Sequence, residues 1–362
     1  MTEIFGSLGP ACAQTDILEK MFLEGMTGMR LNLSHSGLSE SRQVIRNFQK
    51  AAQRTGAAAE LLIDLQGPEV RIGALRCPIQ LKEAEEAVFA AAADAEYVNG
   101  MIPVSDQVLS AFETGDRVLL DDGKMELVIT SAGRQVTARV LCGGLLQQKK
   151  SLKIADKQIP GPVLTKQDME NISLAKDYGV TALMQPFVTS GEQLLQIRRE
   201  LKKRHLEHIR IFAKIENREG MERIRDILPF ADMIVIARGD LGNDMPLWEL
   251  PAAQKRLSEI CKSAGKPFLI VTQLLASMVN SPYPTRAEVS DIFHAVQDGA
   301  AAVMVTNETA VGKYPAEVIR YLKQTVREAE NYAAALLLQS PESISCPDAG
   351  AETVPPADSK NF

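Results

Sequence analysis

Short apolar runs alternate with amphipathic stretches of helical length along most of the chain. The runs are rich in β-branched and aliphatic residues and are bounded by turn signals, so each is predicted to be a strand. The eight predicted strands are Ile4–Leu8, Met29–Leu33, Glu60–Leu65, Thr181–Pro186, Ile209–Ile215, Met233–Ala237, Phe268–Thr272 and Ala301–Thr306. The predicted helices are Asp16–Glu24, Ser39–Gln53, Lys166–Asp177, Glu192–Arg204, Glu219–Leu228, Leu250–Ala264, Arg286–Asp298 and Ala316–Leu337. Strands and helices that alternate in this way, mostly with short connections, indicate an α/β fold with parallel pairing.

One connection breaks this pattern. The third predicted strand ends near Leu65, but its helix begins only near Lys166, which is far too long for a loop inside a compact domain. Residues 74–160 instead show short alternating runs around Asp121-Asp122-Gly123. We therefore predict a (β/α)8 TIM barrel at 1–73 and 161–338, with a small β-rich lid domain inserted after strand 3 at 74–160. Residues 339–362 have no apolar period and are predicted to be a disordered tail.

Composition narrows the classes of function. The 362 residues are 45% hydrophobic and 24% charged, which is typical of a globular protein with a large core. A net charge of −6 without a basic block argues against nucleic-acid binding. The five cysteines are scattered, which favours reduced thiols over a disulfide framework or a zinc site. The first residues lack the basic start and apolar core of a signal peptide, and no apolar run reaches the roughly 18 residues of a membrane span, so we expect a soluble cytoplasmic protein.

Polar or charged groups follow six of the predicted strands. These segments are Arg30 to His35, Asp64 to Arg71, Lys214 to Asn217, Arg238 to Gly242, Thr272-Gln273 and Thr306 to Thr309. In barrels of this kind the chemistry lies at the carboxyl ends of the strands. The sequence therefore predicts one functional mouth at which these groups converge.

Two carboxylates in this set are candidate metal ligands. Glu216 and Asp240 follow neighbouring strands, and neither has a histidine or cysteine close to it in the sequence. Oxygen ligands without nitrogen or sulfur suit Mg²⁺ or Mn²⁺. The alternative is a buried acid that forms an ion pair with Arg238 or Lys214, and spacing alone does not decide between the two.

Three cations surround the candidate metal site. Lys214 lies two residues before Glu216, so both side chains point to the same face of their strand. Arg30 and Arg71 come from strands two and three, and together these cations predict a pocket for a small molecule that carries phosphate and carboxylate groups. The alternative is a salt-bridge network that closes the top of the barrel.

A second oxygen cluster comes from the ends of strands two and three. It consists of Asn32, Ser34 and Asp64 and has a single negative charge. Such a cluster suits a monovalent cation, although similar sets more often only hydrogen-bond the loop backbone.

The segments at the strand ends resemble those of the pyruvate kinase family. In that family the barrel carries motifs similar to IGPAS, RLNFSH, LDTKGPEIR, KIEN, ARGDLG, ATQML, PTRAE and SGETA. The matching segments, in the same order, are Leu8 to Cys12, Arg30 to His35, Ile63 to Arg71, Lys214 to Asn217, Ala237 to Gly242, Val271 to Leu275, Pro284 to Glu288 and Thr306 to Ala310. The family also inserts a β domain after strand three, and the resemblance covers roughly residues 3–335.

This resemblance implies phosphoryl transfer from phosphoenolpyruvate to ADP, giving pyruvate and ATP in glycolysis, with Mg²⁺ (or Mn²⁺) and K⁺ as cofactors. The implied Mg²⁺ ligands are Glu216 and Asp240. The implied catalytic residues are Lys214, Thr272, Arg30 and Arg71. The implied substrate-binding residues are Arg30, Lys214, Gly239, Asp240 and Thr272. By the same resemblance Lys214 stabilises charge on the phosphoryl group and on the enolate, the two arginines hold phosphate, and Thr272 helps to protonate the enolate.

The resemblance also implies a K⁺ site and a nucleotide site. The implied K⁺ ligands are Asn32, Ser34, Asp64 and the Leu65 carbonyl. Glu69 matches the glutamate that accompanies K⁺ dependence in the family. The implied nucleotide-binding residues are Asn32, His35, Arg71, Asp121 and Lys150, with the inserted domain closing over the nucleotide.

Four features depart from the family pattern. Gln66 replaces a lysine and removes a positive charge beside the phosphate, Asn307 replaces a glycine near the ligand, and Pro186 stands where the family usually has serine. We also expect the family's C-terminal domain, which hosts effector sites and helps to assemble the tetramer, to be absent. Effector control of the usual type is then not expected, and a homo-oligomer stays open.

Two other functions stay open on the sequence. A metal-dependent lyase or aldolase acting on pyruvate or phosphoenolpyruvate is one, because an acid pair with an arginine also stabilises a pyruvate enolate, although an aldolase needs no lid. A non-catalytic regulatory paralogue of pyruvate kinase is the other. The expected lack of the C-terminal domain and Asn307 favour it, whereas the intact catalytic set argues against it.

Overall fold

A computed structural model describes residues 1–34, 37–67, 70–91, 100–121, 123–133, 135–155, 157 and 161–339. Its strands, numbered in chain order, are β1 Glu3–Ser7, β2 Gly28–Asn32, β3 Glu60–Asp64, β4 Ile79–Leu81, β5 Glu86–Ala91, β6 Met101–Val104, β7 Arg117–Leu120, β8 Met125–Ser131, β9 Val136–Cys142, β10 Gly144–Leu146, β11 Leu152–Ile154, β12 Ala182–Gln185, β13 Arg210–Ile215, β14 Met233–Ala237, β15 Phe268–Val271 and β16 Ala302–Met304. Eight of them close into a parallel barrel in the order β1–β2–β3–β12–β13–β14–β15–β16. The predicted TIM barrel is therefore confirmed, together with its eight strands.

Helices cover the outside of the barrel. They are Thr15–Leu23, Arg42–Thr55, Lys166–Leu174, Gly191–Lys203, Arg218–Glu222, Ile224–Ile227, Arg238–Gly242, Leu250–Ser263, Arg286–Gln297, Asn307–Ala310 and Pro315–Gln339, with Asp106–Ala111 in the insert and 3-10 turns at Pro10–Cys12 and Ala276–Val279. The helices Lys166–Leu174 and Arg286–Gln297 are among those that begin with a capping box, in which Thr165 with Asp168, and Thr285 with Glu288, satisfy the first backbone N–H groups. Within the described residues, no helix combines the length and the apolar character needed to cross a membrane.

The long connection after β3 folds separately from the barrel. Its strands form a six-stranded sheet in the order β11–β7–β8–β9–β5–β6 and a two-stranded sheet of β10 with β4. The outgoing and returning segments pair with each other, since the Ile72 amide donates to the Lys150 carbonyl at 2.9 Å and the Leu152 amide to the Val70 carbonyl at 2.8 Å. The β-rich insert is thus confirmed. The predicted boundaries stay predictions, and the predicted tail lies outside the described residues from position 340 onwards.

Alternate residues of each barrel strand point into the barrel, because side chains alternate along a strand. The middle of the interior is a packed apolar cluster that includes Phe5, Leu62, Met184, Phe212 and Leu269. One step further along the strands, toward their carboxyl ends, the inward positions carry Arg30, Asp64 and Lys214. The barrel is therefore closed by hydrophobic packing below and by charges at its mouth.

Asp64 is the centre of this charged layer, and its side chain is only 3% exposed. Arg30 donates to Asp64 Oδ2 from Nε at 2.8 Å, and Lys214 Nζ lies 3.3 Å from Oδ1 and 3.2 Å from Oδ2. Burial alone would raise the pKa of Asp64, but Lys214 and Arg30 outweigh burial and lower it below the ordinary 3.8. The carboxylate therefore stays ionised and joins β2, β3 and β13.

We expect the Asp64→Asn variant to lose about 3 kcal/mol of unfolding free energy at pH 7, because Arg30 then loses its counterion and Lys214 loses one of its two carboxylate partners. Since the folded-state pKa is depressed, this contribution is fully present above the unfolded-state value, about 4, and is lost as pH falls through the folded-state value. Urea unfolding at pH 7 and at about pH 3 measures the difference. Asp177→Asn, at an exposed position, is the control. An equal loss for Asp64→Asn at both pH values would contradict this account.

Candidate active site at the barrel mouth

A chain of ion pairs crosses the mouth from β2 to β13. Arg30 binds Asp64, Asp64 binds Lys214, and Lys214 Nζ lies 2.8 Å from Glu216 Oε1. Burial opposes the charged ammonium, but Asp64 and Glu216 raise the pKa of Lys214 above its ordinary 10.5. Lys214 therefore remains a cation although its side chain is only 13% exposed. The structure thus brings together four of the residues that the sequence singled out.

Glu216 is held on both of its oxygens and is only 1% exposed. Oε1 faces Lys214, and Oε2 accepts a 2.8 Å hydrogen bond from the Phe187 amide. Of the two ion pairs considered for this acid, the one with Lys214 is observed, whereas Arg238 pairs with Asp291. Burial, helped by the charge of Asp240 and opposed by Lys214, raises the pKa of Glu216 to about 7.

The donor set at Glu216 and Asp240 fits a hard divalent cation. Asp240 lies half-buried in the short helix after β14, and its negative charge helps to raise the pKa of both Glu216 and Lys214. Each carboxylate oxygen has two lone pairs, so the single bonds that Glu216 accepts leave room for a cation. In the described part of the chain, no three His, Cys, Asp or Glu side chains are grouped closely enough to hold a metal by themselves. Two carboxylates with remaining positions for water and substrate oxygens are the usual arrangement for Mg²⁺.

Thr272 and Gly239 meet on the opposite side of the mouth. The Gly239 amide donates to Thr272 Oγ1 at 2.8 Å, and the Arg238 guanidinium donates to the Thr272 carbonyl at 2.7 Å. Because Oγ1 accepts from Gly239, its own proton is available for a ligand. The structure thus places Thr272 beside Gly239, which the resemblance also assigned to substrate binding.

The residues of the predicted monovalent-cation site lie at the neighbouring carboxyl ends of β2 and β3. Asn32 and Asp64 are partners in the strand register. The Asn32 side-chain oxygen accepts from the Ser34 amide at 3.0 Å, and the Leu65 amide donates to the Met184 carbonyl at 3.0 Å. The backbone-bonding alternative is therefore observed for Asn32, and K⁺ binding stays a prediction. Glu69 lies outside the described residues.

The nucleotide residues predicted in the insert are brought together. Lys150 Nζ lies 2.8 Å from Asp121 Oδ1, and Lys124 lies 3.2 Å from Oδ2. These two lysines lower the pKa of Asp121 against the effect of its burial. Arg71 lies in the paired segments that join barrel and insert, where its guanidinium donates to the Lys149 carbonyl at 2.8 Å. His35 lies outside the described residues.

The insert also contacts the barrel mouth through residues that sequence reasoning missed. Lys153 on β11 forms an ion pair with Asp244, whose other oxygen accepts from the Arg218 amide. A Cβ at Gly123 would lie 3.7 Å from the Asn243 side-chain oxygen, so the turn after β7 faces the same loop. The insert is therefore folded down onto the loop that follows Asp240. No local motif marks Lys153, because its partner depends on how the insert is oriented.

Gln66, which replaces the family lysine, bonds to the protein around it. Its Nε2 donates to the Leu33 carbonyl at 3.2 Å, and Thr165 Oγ1 lies 3.5 Å from its Oε1. The backbone amide of Gln66 donates to the fully buried carboxylate of Asp168 at 2.8 Å. The side chain thus ties β2 to the segment where the chain returns from the insert.

The other two substituted positions, Pro186 and Asn307, have different surroundings. Pro186 packs against Gly67, where a Cβ would lie 2.5 Å from the Pro186 ring and φ is +58°. A glycine at position 67 is therefore required by both space and backbone conformation. Asn307 is exposed and begins the short helix after β16.

Comparisons with known proteins agree with this architecture. The family model for the pyruvate kinase barrel domain matches residues 1–319. A pyruvate kinase of Geobacillus stearothermophilus is 35% identical over 333 residues, which cover 91% of this chain and 57% of that protein. A pyruvate kinase of Corynebacterium glutamicum is 36% identical over 334 residues, covering 91% of this chain and 70% of that protein.

A solved structure shows the same likeness. The crystal structure of a pyruvate kinase from Cryptosporidium parvum superimposes with a TM-score of 0.84 at 28% identity, covering 95% of this chain and 73% of that one. The chain spans little more than half the length of the Geobacillus relative. Its barrel, its inserted β domain and the family-model match over most of its length lead to one conclusion: the chain belongs to the pyruvate kinase family.

Proposed function

We propose that the protein transfers the phosphoryl group of phosphoenolpyruvate to ADP, producing pyruvate and ATP. The observation that carries this proposal is the line of ion pairs Arg30–Asp64–Lys214–Glu216 at the barrel mouth. This is the reaction of glycolysis, and we propose that it takes place in the cytoplasm. The binding partners that we propose are therefore small molecules, namely phosphoenolpyruvate, pyruvate, ADP and ATP, and we propose no role for nucleic acid or membrane.

The charge balance at the mouth suits an anionic substrate once a divalent cation is bound. Arg30 and Lys214 balance the two carboxylates to which they are bonded, and Asp240 adds negative charge near Glu216. A divalent cation held by Glu216 and Asp240 would neutralise charge on the phosphate and carboxylate oxygens of the substrate. We propose Mg²⁺, or Mn²⁺, in that place, because the donor set is all oxygen.

Phosphoryl transfer needs positioning and charge neutralisation more than covalent help. Lys214 is fixed by two carboxylates, so its ammonium is held in one place when charge develops on the phosphoryl oxygens. Arg30 binds Asp64 through its Nε and NH2 groups, and we propose its NH1 group as a contact for phosphate. We propose Arg71 as a further phosphate contact from the neck of the insert.

The enolate left after transfer takes a proton at its methylene carbon, which becomes the methyl group of pyruvate. Thr272 is the residue that we propose to help deliver this proton, because its hydroxyl accepts from Gly239 and keeps its own proton to donate. Gly239 and Asp240 lie in the short helix Arg238–Gly242 that follows β14. We propose them for the substrate carboxylate.

The insert would act as a lid over the nucleotide. Asp121 pairs with Lys150 in the insert, Arg71 lies in the segments that join the insert to the barrel, and Lys153 pairs with Asp244 of the barrel. A lid that excludes water protects the phosphoryl group from hydrolysis. The nucleotide contacts that we propose are Asp121, Lys150, Asn32, His35 and Arg71. The K⁺ ligands that we propose are Asn32, Ser34, Asp64 and the Leu65 carbonyl.

We expect Lys214→Met and Glu216→Gln each to lower turnover at least about a hundredfold, because each removes a buried charge that acts on the transferring group. Pyruvate formation from phosphoenolpyruvate, ADP, Mg²⁺ and K⁺ is the measurement. The matched controls are Lys203→Met and Glu219→Gln at solvent-exposed helix positions, which should keep wild-type rates.

Circular dichroism separates loss of function from loss of the barrel in these variants. If wild type forms no pyruvate but cleaves a hydroxy-keto acid, the lyase or aldolase function replaces our proposal. If it catalyses neither reaction yet binds phosphoenolpyruvate, the regulatory function replaces it.

We expect Lys150→Met to raise the KM for ADP about tenfold and to leave the KM for phosphoenolpyruvate within twofold, because the insert serves the nucleotide. Lys149→Met is the control, since this neighbouring side chain is exposed. Initial rates at varied ADP and varied phosphoenolpyruvate give both constants. Equal changes in the two KM values would remove Lys150 from the nucleotide site.

A further inference from the structure

Two consecutive residues at the end of β15 have strained backbones. Thr272 has φ +79° and Gln273 has φ +53°, although neither is glycine. Residues other than glycine rarely adopt this left-handed conformation, and they keep it only where the surroundings hold them there. The strain lies at the residue that we propose to deliver the proton, so what holds it bears on the reaction.

Arg238 holds the first of these residues. Its NH2 donates to the Thr272 carbonyl at 2.7 Å, and its side chain is only 11% exposed. Its NH1 lies within 2.8 Å of Asp291 Oδ1 and 2.7 Å of Oδ2, and 3.4 Å from Gln254 Oε1. One planar guanidinium therefore joins two outer helices to the strained turn.

Asp291 is the anchor of this arrangement. It lies in the helix Arg286–Gln297, away from the charged layer of the mouth, and binds the same guanidinium nitrogen with both carboxylate oxygens. The contacts of NH1 with Asp291 and Gln254 and of NH2 with Thr272 together hold the guanidinium, and so set the direction in which Arg238 donates to Thr272. Thr272 is tied on its other side by the Gly239 amide.

We propose that Asp291 and Arg238 are positioning residues for proton delivery: they hold the Thr272 backbone in its left-handed conformation and so aim its hydroxyl at the enolate carbon. This inference rests on the proposed function and names the residues that position the proton donor for its second step, protonation of the enolate. Phosphoryl transfer itself depends on the ion pairs on the opposite side of the mouth. Loosening Asp291 therefore slows protonation more than it weakens binding.

The test compares Asp291→Asn with Asp232→Asn. Asp232 is a matched control, because it also pairs with an arginine, Arg198, and is equally exposed at 35%. It immediately precedes β14 and so lies at the end of the barrel opposite the mouth. Two rates are measured for each variant, turnover to pyruvate and exchange of the pyruvate methyl protons with solvent deuterium by NMR.

We expect Asp291→Asn to lower kcat and methyl-proton exchange about tenfold, with the KM values for phosphoenolpyruvate and ADP within twofold, because a small misplacement of a reacting group costs rate more than binding. Asp232→Asn should leave all four quantities within twofold of wild type. Equal exchange rates for the two variants would overturn the proposal, as would a tenfold rise in KM at unchanged kcat.

A second readout needs no turnover. Hydrogen–deuterium exchange of peptides that cover 272–275 should be faster in Asp291→Asn and unchanged in Asp232→Asn. If Asp291→Asn fails to fold, Arg238→Lys replaces it, since lysine keeps the charge but cannot bridge Asp291 and Thr272 with a planar fork. If backbone amide exchange at 272–275 is unchanged in the folded variant, the inference is overturned, even if the wild-type enzyme proves inactive. If the wild type is inactive but amide exchange at 272–275 is faster in the variant, the result counts only against the proposed function.

Discussion

A buried carboxylate that must keep two cations beside it organises this molecule. Asp64 is fixed at the mouth of a parallel barrel, where Arg30 and Lys214 both bind it and Lys214 also binds Glu216. Ionised groups in so dry a place are costly unless each is paired, so three strands are held in register by charge as well as by backbone hydrogen bonds. The same requirement keeps Lys214 protonated and stationary. What stabilises the barrel mouth is therefore also what a phosphoryl-transfer site needs.

The two sides of the mouth are built differently. On the side of β2, β3 and β13, the functional groups are largely buried side-chain charges that are held by one another. On the side of β14 and β15, the proposed metal ligand Asp240 follows β14 and the Thr272 hydroxyl follows β15, and the Thr272 carbonyl is bonded to Arg238, which pairs with Asp291. This division matches the two steps of the proposed reaction, since transfer of a phosphoryl group needs charge and protonation of an enolate needs an aimed hydroxyl.

The sequence predicted most of the fold, and the reason is physical. Strands buried on both faces of a parallel sheet are continuous apolar runs, and all eight were found in this way. The predicted helix Glu219–Leu228 is instead two short helices, Arg218–Glu222 and Ile224–Ile227, because periodicity does not register a break of one residue. Lys214 and Glu216 share a face, as their spacing requires. Pairings across long separations, such as Arg238 with Asp291 or Lys153 with Asp244, have no local signal and became visible only in three dimensions.

The central claim is that Glu216 and Asp240, beside Lys214, hold one divalent cation at the mouth of the barrel. A titration with Mn²⁺ followed by electron paramagnetic resonance tests it most directly, on wild type and on Asp240→Asn, with Asp226→Asn at an exposed helix position as the control. The account predicts one Mn²⁺ per wild-type chain, bound more tightly when phosphoenolpyruvate is present, and at least about tenfold weaker binding in Asp240→Asn alone. Equal Mn²⁺ affinity in all three proteins would contradict it.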